Sequence, residues 1–194
     1  MKFIRFLILT LIISSTLSSC VRYTFKSSPI VPPDSAFNIA LTDQNTQPFQ
    51  LTQLKGKVVL VFFGYTNCPD ICPATLSDLQ LVKNRLGTAA ANVVILFVTV
   101  DPGRDTPAKL NRFVQQYDES IIALTGNPAD LGAVYHAYGA GAERRDTPNS
   151  AMIYAVDHTS TVTVIDKNGM RRLLIGFGSP IDDIAADINA LLAE

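Results

Sequence analysis

Tryptophan is absent from this 194-residue chain, histidine occurs only at positions 136 and 158, and cysteine only at 20, 68 and 72. Two histidines nearly exclude a structural zinc site built on two or more imidazoles. Charge of one sign is missing as well: 16 basic residues face 17 acidic ones, for a net charge of −1, and no basic stripe runs along the chain. Nucleic acid is therefore not expected as a partner. Glycine and proline, 11 of each, stay near average usage, which argues against fibrous and disordered classes. No internal repeat and no second domain is visible. The length and the 47% hydrophobic content suit one globular domain with accessory segments, large enough to fold without disulfide staples.

Long apolar runs are scarce too, and the clearest one lies at the start. Residues 6–17 are uncharged and mostly apolar, twelve positions against the ~20 that span a bilayer. Lys2 and Arg5 precede the run, and Leu17-Ser18-Ser19-Cys20 closes it with small residues, the pattern of an export signal. Leu-Ser-Ser-Cys resembles a bacterial lipobox, whose cysteine is lipidated and becomes the first residue of the mature protein. Residues 1–19 are thus expected to be a lipoprotein signal peptide and Cys20 the lipid-bearing residue. That would place the protein on the extracytoplasmic, periplasmic face of a bacterial membrane; an uncleaved anchor helix is the alternative. Residues 20–36, with Ser27-Ser28-Pro29 and Pro32-Pro33-Asp34, read as a flexible tether. Some fifteen extended residues would reach at most ~50 Å. The domain proper is expected over 37–194.

Within that domain the apolar pattern is α/β. Residues 58–63 form a continuous apolar run after Lys55-Gly56-Lys57, as in a strand buried on both faces. Leu76, Leu79, Val82 and Leu86 recur at helical spacing and stop at Gly87. A second buried strand covers 93–100. Thr106-Pro107 starts a second helix as N-cap and first helical residue, continuing through Leu110, Phe113, Val114 and Tyr117. A short helix follows over 129–138, after Gly126-Asn127-Pro128. Strands are expected at 152–156 and 162–165, with Asp166-Lys167-Asn168-Gly169 turning into a strand at 172–175. A last helix spans about 181–192. This order is that of a thioredoxin-like fold, a central mixed β-sheet flanked by helices.

Cysteine placement narrows the reading further. If Cys20 carries lipid, Cys68 and Cys72 remain as an even pair in an exported protein. A disulfide between them would close so small a loop that its stabilisation would be modest, so a chemical role is the stronger reading. Both lie just after the first buried strand, where such sheets present functional groups. Pro73 favours a helix beginning at or near Cys72, which puts that thiol at a helix N-terminus. Two thiols so placed suit a soft metal, Cu(I) or Zn(II), or a reversible disulfide, and the spacing alone does not separate metal from redox work. His136 sits inside an expected helix and reads as an ordinary histidine. His158 ends a strand at the place where thioredoxin-like reductases carry a cis-proline facing the cysteines. No proline occurs between Pro148 and Pro180, so His158 is the candidate third ligand. Arg104, Asp105 and Thr106 are expected to pair and cap a helix start, and Asp157 is a possible partner orienting the site.

Three segments, Gly64-Tyr65-Thr66-Asn67-Cys68-Pro69-Asp70-Ile71-Cys72-Pro73, Asp101-Pro102-Gly103-Arg104-Asp105-Thr106-Pro107 and Val156-Asp157-His158-Thr159, resemble the SCO/SenC/PrrC family. The resemblance spans roughly 37–192. It implies a thioredoxin-like copper chaperone that helps assemble the binuclear copper centre of cytochrome c oxidase. It implies one copper ion, Cu(I) or Cu(II), held by Cys68, Cys72 and His158, with a Cys68–Cys72 disulfide as a further state. The partner implied is the copper-site subunit of cytochrome c oxidase or another copper or thiol carrier. Asn67 stands where the family often has histidine, and Asp43-Gln44-Asn45-Thr46-Gln47 lacks the glycine usual in an early hairpin. The alternative to a chaperone without turnover is a thiol-disulfide oxidoreductase, with Cys68 and Cys72 as its redox pair. His158 in the cis-proline position and the absence of tryptophan before the cysteines favour metal. No Thr-x-x-Cys precedes Cys68, so a peroxidase is the weaker reading still.

Overall fold

The computed structural model describes residues 23–140, 142–146, 154–158 and 160–194, with backbone alone between 142 and 158. Its elements are Ser28–Ser35 (β1), Ala40–Asp43 (β2), Pro48–Gln50 (β3), Val58–Gly64 (β4), Ile71–Leu86 (α1), Val93–Thr99 (β5), Pro107–Val114 (α2), Ile122–Thr125 (β6), Pro128–Tyr138 (α3), Ala142–Asp146 (β7), Tyr154–His158 (β8), Val162–Ile165 (β9), Met170–Ile175 (β10) and Ile181–Ala193 (α4). Eight strands form one sheet in the order β1-β10-β9-β4-β5-β6-β2-β3, while β7 and β8 pair separately.

The centre of the sheet is β4, buried at every position. It runs parallel to β5, from Val58 opposite Val93 to Gly64 opposite Thr99, and antiparallel to β9. Apolar side chains on both faces of β4 explain this seat, since each face needs its own cover. Phe62 meets Phe97, which meets Phe113 of α2, whereas Phe63 meets Tyr135 and Tyr138 of α3. Helix α1 buries Cys72, Thr75, Leu76, Leu79, Val82 and Leu86 along one stripe, and α4 packs against it. Thr106 caps α2 by accepting from Lys109 N–H, with Pro107 in the first turn. Asn127 caps α3 in the same way. A mixed sheet with helices on both faces, built in this order, is a thioredoxin-like fold.

The expected tether is corrected by β1. Residues 28–35 are not a free linker: they pair antiparallel with β10, Ser28 opposite Leu174 and Ser35 opposite Met170. Prolines are tolerated there because β1 is an edge strand, where a missing N–H faces no partner. Pro32 and Pro33 fall in the register shift between Pro29 and Asp34. The chain is held even earlier. The buried Asp187 carboxylate of α4 accepts from the Tyr23 hydroxyl at 2.8 Å, Lys26 N–H at 2.9 Å and Ser27 N–H at 2.7 Å. The folded unit therefore begins well before residue 37. Cys20 and the expected signal segment lie outside the described residues.

Other segments differ from expectation too: β6 and β7 have no counterpart among the expected strands, and β8 runs to His158, past the expected end at 156. Helix α2 ends at Val114, and Tyr117 lies in the turn that follows, its N–H donating to Val114 O. The β2–β3 hairpin manages without glycine by placing Thr46 at φ 61°, while Asp43 Oδ1 accepts from Asn45 and Gln47 N–H.

Candidate metal centre

Strand β4 ends at Gly64, and after six intervening residues the chain enters α1 at Ile71. Pro73 is the third residue of that helix, within the first turn where its missing N–H leaves no intrahelical bond unmade. Cys72 is the second residue and points into the core, fully buried. It fits because Gly64 has no side chain. A Cβ there would stand 2.8 Å from Cys72 Sγ and 2.7 Å from Phe97 Cε2. Cys68 is half-buried on the preceding turn, which its own N–H closes by donating to Tyr65 O at 3.2 Å. Both residues are thiols in this structure.

The two sulfurs meet at the helix start. Asp70 is the N-cap residue, yet its side chain makes no capping bond. Instead Cys72 N–H donates to Cys68 Sγ at 3.4 Å. The positive end of α1 is thus directed at Cys68, not at the Cys72 sulfur that the position of Pro73 pointed to. The Cys68 sulfur beside it, and then burial, push the Cys72 thiol well above its ordinary range, against a smaller opposing pull from the Tyr65 backbone. Tyr117 lies beside the pair: burial first, and then electrostatic coupling to Cys72 and Cys68, raise its phenol.

A second loop braces this one. Asp105, 1% exposed, accepts from Thr66 N–H at 3.0 Å, the Thr66 hydroxyl at 2.6 Å and the Thr99 hydroxyl at 2.7 Å. Arg104 pairs with Asp101 and lies over the Tyr65 ring, its Cζ 5.9 Å from the centroid. The expected pairing and capping role of 104–106 is present at Arg104 and Thr106. Asp105 does something else: it reaches across to the turn that carries Cys68. A cavity of about 260 Å³ between Lys57, Val59, Ile165 and Asp166 lies at the other end of β4 and holds neither thiol.

The structure thus brings Cys68 and Cys72 together and places the backbone of His158 at the end of β8, opposite Ala142. The His158 side chain and that of Asp157 lie outside the described side chains. His136 is exposed on α3. Among the described residues no three histidine, cysteine or carboxylate side chains gather as a metal cluster. The described donors are two adjacent sulfurs, a set whose softness fits Cu(I) and, with an added imidazole, Cu(II) or Zn(II).

The sequence model of the SCO1/SenC family matches residues 33–193. The chain belongs to the SCO1/SenC family. An SCO2-like protein of Rickettsia prowazekii is 34% identical over 154 residues, covering 74% of this chain and 75% of that protein. Further Rickettsia SCO2-like proteins are matched over just under two thirds of their own length. Among solved structures, Bradyrhizobium japonicum ScoI with copper bound is 34% identical with a TM-score of 0.74, covering 81% of this chain and 99% of that one. A SCO1/SenC family lipoprotein from Bacillus anthracis is 26% identical with a TM-score of 0.72, covering 88% and 100%.

In this SCO1/SenC chain, sequence reasoning found the two cysteines and missed two neighbours. Tyr117 counted only as one more apolar helical position. Asp105 carried a visible signal, a carboxylate beside the Thr106 cap, but its partner Thr66 is 39 residues away and no local pattern points to it.

Proposed function

We propose that this SCO1/SenC protein is a copper chaperone: it carries one copper ion on Cys68, Cys72 and His158 and passes it to the binuclear copper centre of cytochrome c oxidase as that complex is assembled. The observation that carries the reading is the pair of thiols at the end of β4, one set in the core and one on the rim. Two sulfurs hold Cu(I) as a low-coordinate cargo, and an imidazole added to them also accommodates Cu(II). An open coordination position lets an incoming thiolate bind before the donor lets go. The half-buried Cys68 is the sulfur an acceptor reaches first, so it is displaced first and Cys72 second. Family membership and the copper-bound ScoI support the cargo.

The deciding experiment is genetic. Deleting the gene should lower cytochrome c oxidase activity when copper is scarce, and added copper should restore at least part of it. Complementation by Cys68→Ser, Cys72→Ser or His158→Ala should fail under the same scarcity. A second reading, thiol-disulfide oxidoreductase, is favoured by one contact: Cys72 N–H on Cys68 Sγ at 3.4 Å keeps the thiols adjacent. In that role the pair gives two electrons and two protons to a target disulfide and closes its own. Full complementation by His158→Ala, with failure of both cysteine variants, would establish this second reading and overturn the first.

The protein acts at the extracytoplasmic face of a bacterial membrane, held by lipid on Cys20. The charged leader ending in Leu-Ser-Ser-Cys and the lipoprotein relative from Bacillus anthracis support this. Among the described residues no helix is long and apolar enough to cross a membrane. A fatty-acid label should enter the wild type and be lost in Cys20→Ala; equal labelling of both would sink the anchor.

A further inference from the structure

We propose that Asp105 is the positioning residue of the thiol pair, holding the Cys68 turn in register with α1 while the helix and the Gly64 slot hold Cys72. The inference rests on the thiol pair being the working site, as proposed above, and does not depend on which cargo or reaction it serves.

The two sulfurs are held by separate devices. Cys72 belongs to a sixteen-residue helix and is locked between that helix and the end of β4. Cys68 belongs to a turn, and a turn has no such frame of its own. Beside the buried Tyr65, this turn is tied to the body of the protein by directed bonds from Thr66, two residues before Cys68. Its N–H and its hydroxyl both end on Asp105, at 3.0 and 2.6 Å. Asp105 is itself fixed from two sides. Its N–H donates to Asp101 O at 2.9 Å, and its carboxylate takes the Thr99 hydroxyl at 2.7 Å. Thr99 is the last residue of β5, paired with Gly64 in the sheet. A closed path therefore runs from the Cys68 turn through Asp105 and β5 to β4 and the Cys72 seat.

Burying a carboxylate is costly, and burial pushes the Asp105 carboxyl up in spite of its three donors. A residue that only filled this space would be apolar. Three directed bonds, two of them to one residue of the cysteine turn, fix an angle and a distance that packing alone leaves loose. Asparagine is the informative replacement. Its oxygen can keep Thr66 N–H and the Thr99 hydroxyl, and its amide can donate to Thr66 Oγ1, whose proton then turns to Asn67 Oδ1, 3.2 Å away. Shape and bonds are retained and only the charge is lost.

The test uses the full-length protein and the variants Asp105→Ala, Asp105→Asn and Asp187→Ala. The last removes another buried carboxylate with three donors, the one that clasps residues 23–27. Two quantities are read: the dithiol–disulfide equilibrium of Cys68 and Cys72 against glutathione without metal, and Cu(I) affinity by competition with a chromophoric chelator. Asp105→Ala should disfavour disulfide closure about tenfold, a rise in potential of about 30 mV, and weaken Cu(I) binding about tenfold or more. Asp105→Asn should stay within about threefold of wild type in both, and Asp187→Ala within about twofold although it melts earlier. Asp105→Ala matching Asp187→Ala in both constants would overturn the proposal, as would Asp105→Asn failing as badly as alanine. If Asp105→Ala does not fold, Thr66→Val should shift both constants in the same direction by about threefold, and unchanged constants would overturn the proposal. A wild type that binds no Cu(I) defeats the chaperone reading, while the glutathione equilibrium still decides the role of Asp105.

Discussion

Cys68 and Cys72 are four residues apart and chemically identical, yet they occupy opposite kinds of site. Cys72 sits on a helix in the core, against Gly64 and Phe97, with its thiol held protonated by its neighbour and by burial. Cys68 sits on a half-buried turn, accepts an N–H from the helix start and owes its place to Thr66 and Asp105. One sulfur is built into the fold and the other is brought to it. A carrier needs both: a seat that does not move, and a partner accessible enough to be exchanged.

The largest expected effect treats the two alike. Cys68→Ser or Cys72→Ser should each weaken Cu(I) binding at least about 10³-fold, about 4 kcal/mol, because a hard hydroxyl replaces a soft ligand. Their stabilities should then separate. Cys72→Ser buries a hydroxyl in an apolar slot and should cost about 1–3 kcal/mol, whereas Cys68→Ser should cost about 0.5 kcal/mol or less. Urea denaturation of the metal-free proteins measures this, and equal costs would erase the distinction between core and rim.

Next in size is Gly64→Ala. The new methyl would stand 2.7–2.8 Å from Phe97 and from Cys72 Sγ, so the strand end or the helix start must shift, at about 1–3 kcal/mol. Copper affinity should fall with it, since the fixed seat is the one disturbed. An alanine variant with an unchanged urea midpoint would mean that Cys72 is not tightly seated.

Alkylation gives a direct measure of the contrast. At pH 8 a small haloacetamide should modify Cys68 at least about tenfold faster than Cys72 in the folded protein, because the reaction needs an exposed thiolate. Peptide mapping by mass after partial labelling reports the ratio, and equal rates would contradict the burial of Cys72.

The smallest effect is in the pH dependence. The folded Cys72 thiol titrates above its ordinary value of 9.0, so below that value both states hold the proton and its contribution to stability is complete. As pH rises past 9 the unfolded chain loses the proton while the folded one keeps it, and stability falls. Between pH 9 and 10 this single group should cost about 1 kcal/mol. Cys72→Ala should show a flatter decline over that interval.

Much of this was legible in the chain. The run Val58-Val59-Leu60-Val61-Phe62-Phe63 announces a strand covered on both sides, Thr106-Pro107 announces a helix start, and Gly126-Asn127-Pro128 announces the turn before another helix, although the cap at Asn127 went unread. The seat of the cysteines followed from their place after that strand. Three things were not legible. Strand β1 looks like a tether because its prolines are local signals, while its partner β10 lies more than 130 residues away. Asp105 looks like part of a cap, since its true partner is held by the sheet. Which sulfur faces the helix end depends on how the turn at 65–70 folds back, and Pro73 fixes only where the helix can begin.

If Cys20 carries the lipid proposed above, Asp187 sets how far the domain reaches from the membrane. By clasping Tyr23, Lys26 and Ser27 it leaves three residue steps between Cys20 and the body of the protein, about 10 Å at full extension. With a lipid on Cys20, the domain is pinned to the membrane surface, not moored at a distance. Its search for an acceptor then becomes a two-dimensional one, set by lateral diffusion of both proteins in the same leaflet. Crowding in the aqueous compartment matters less than the density of partners in the membrane plane.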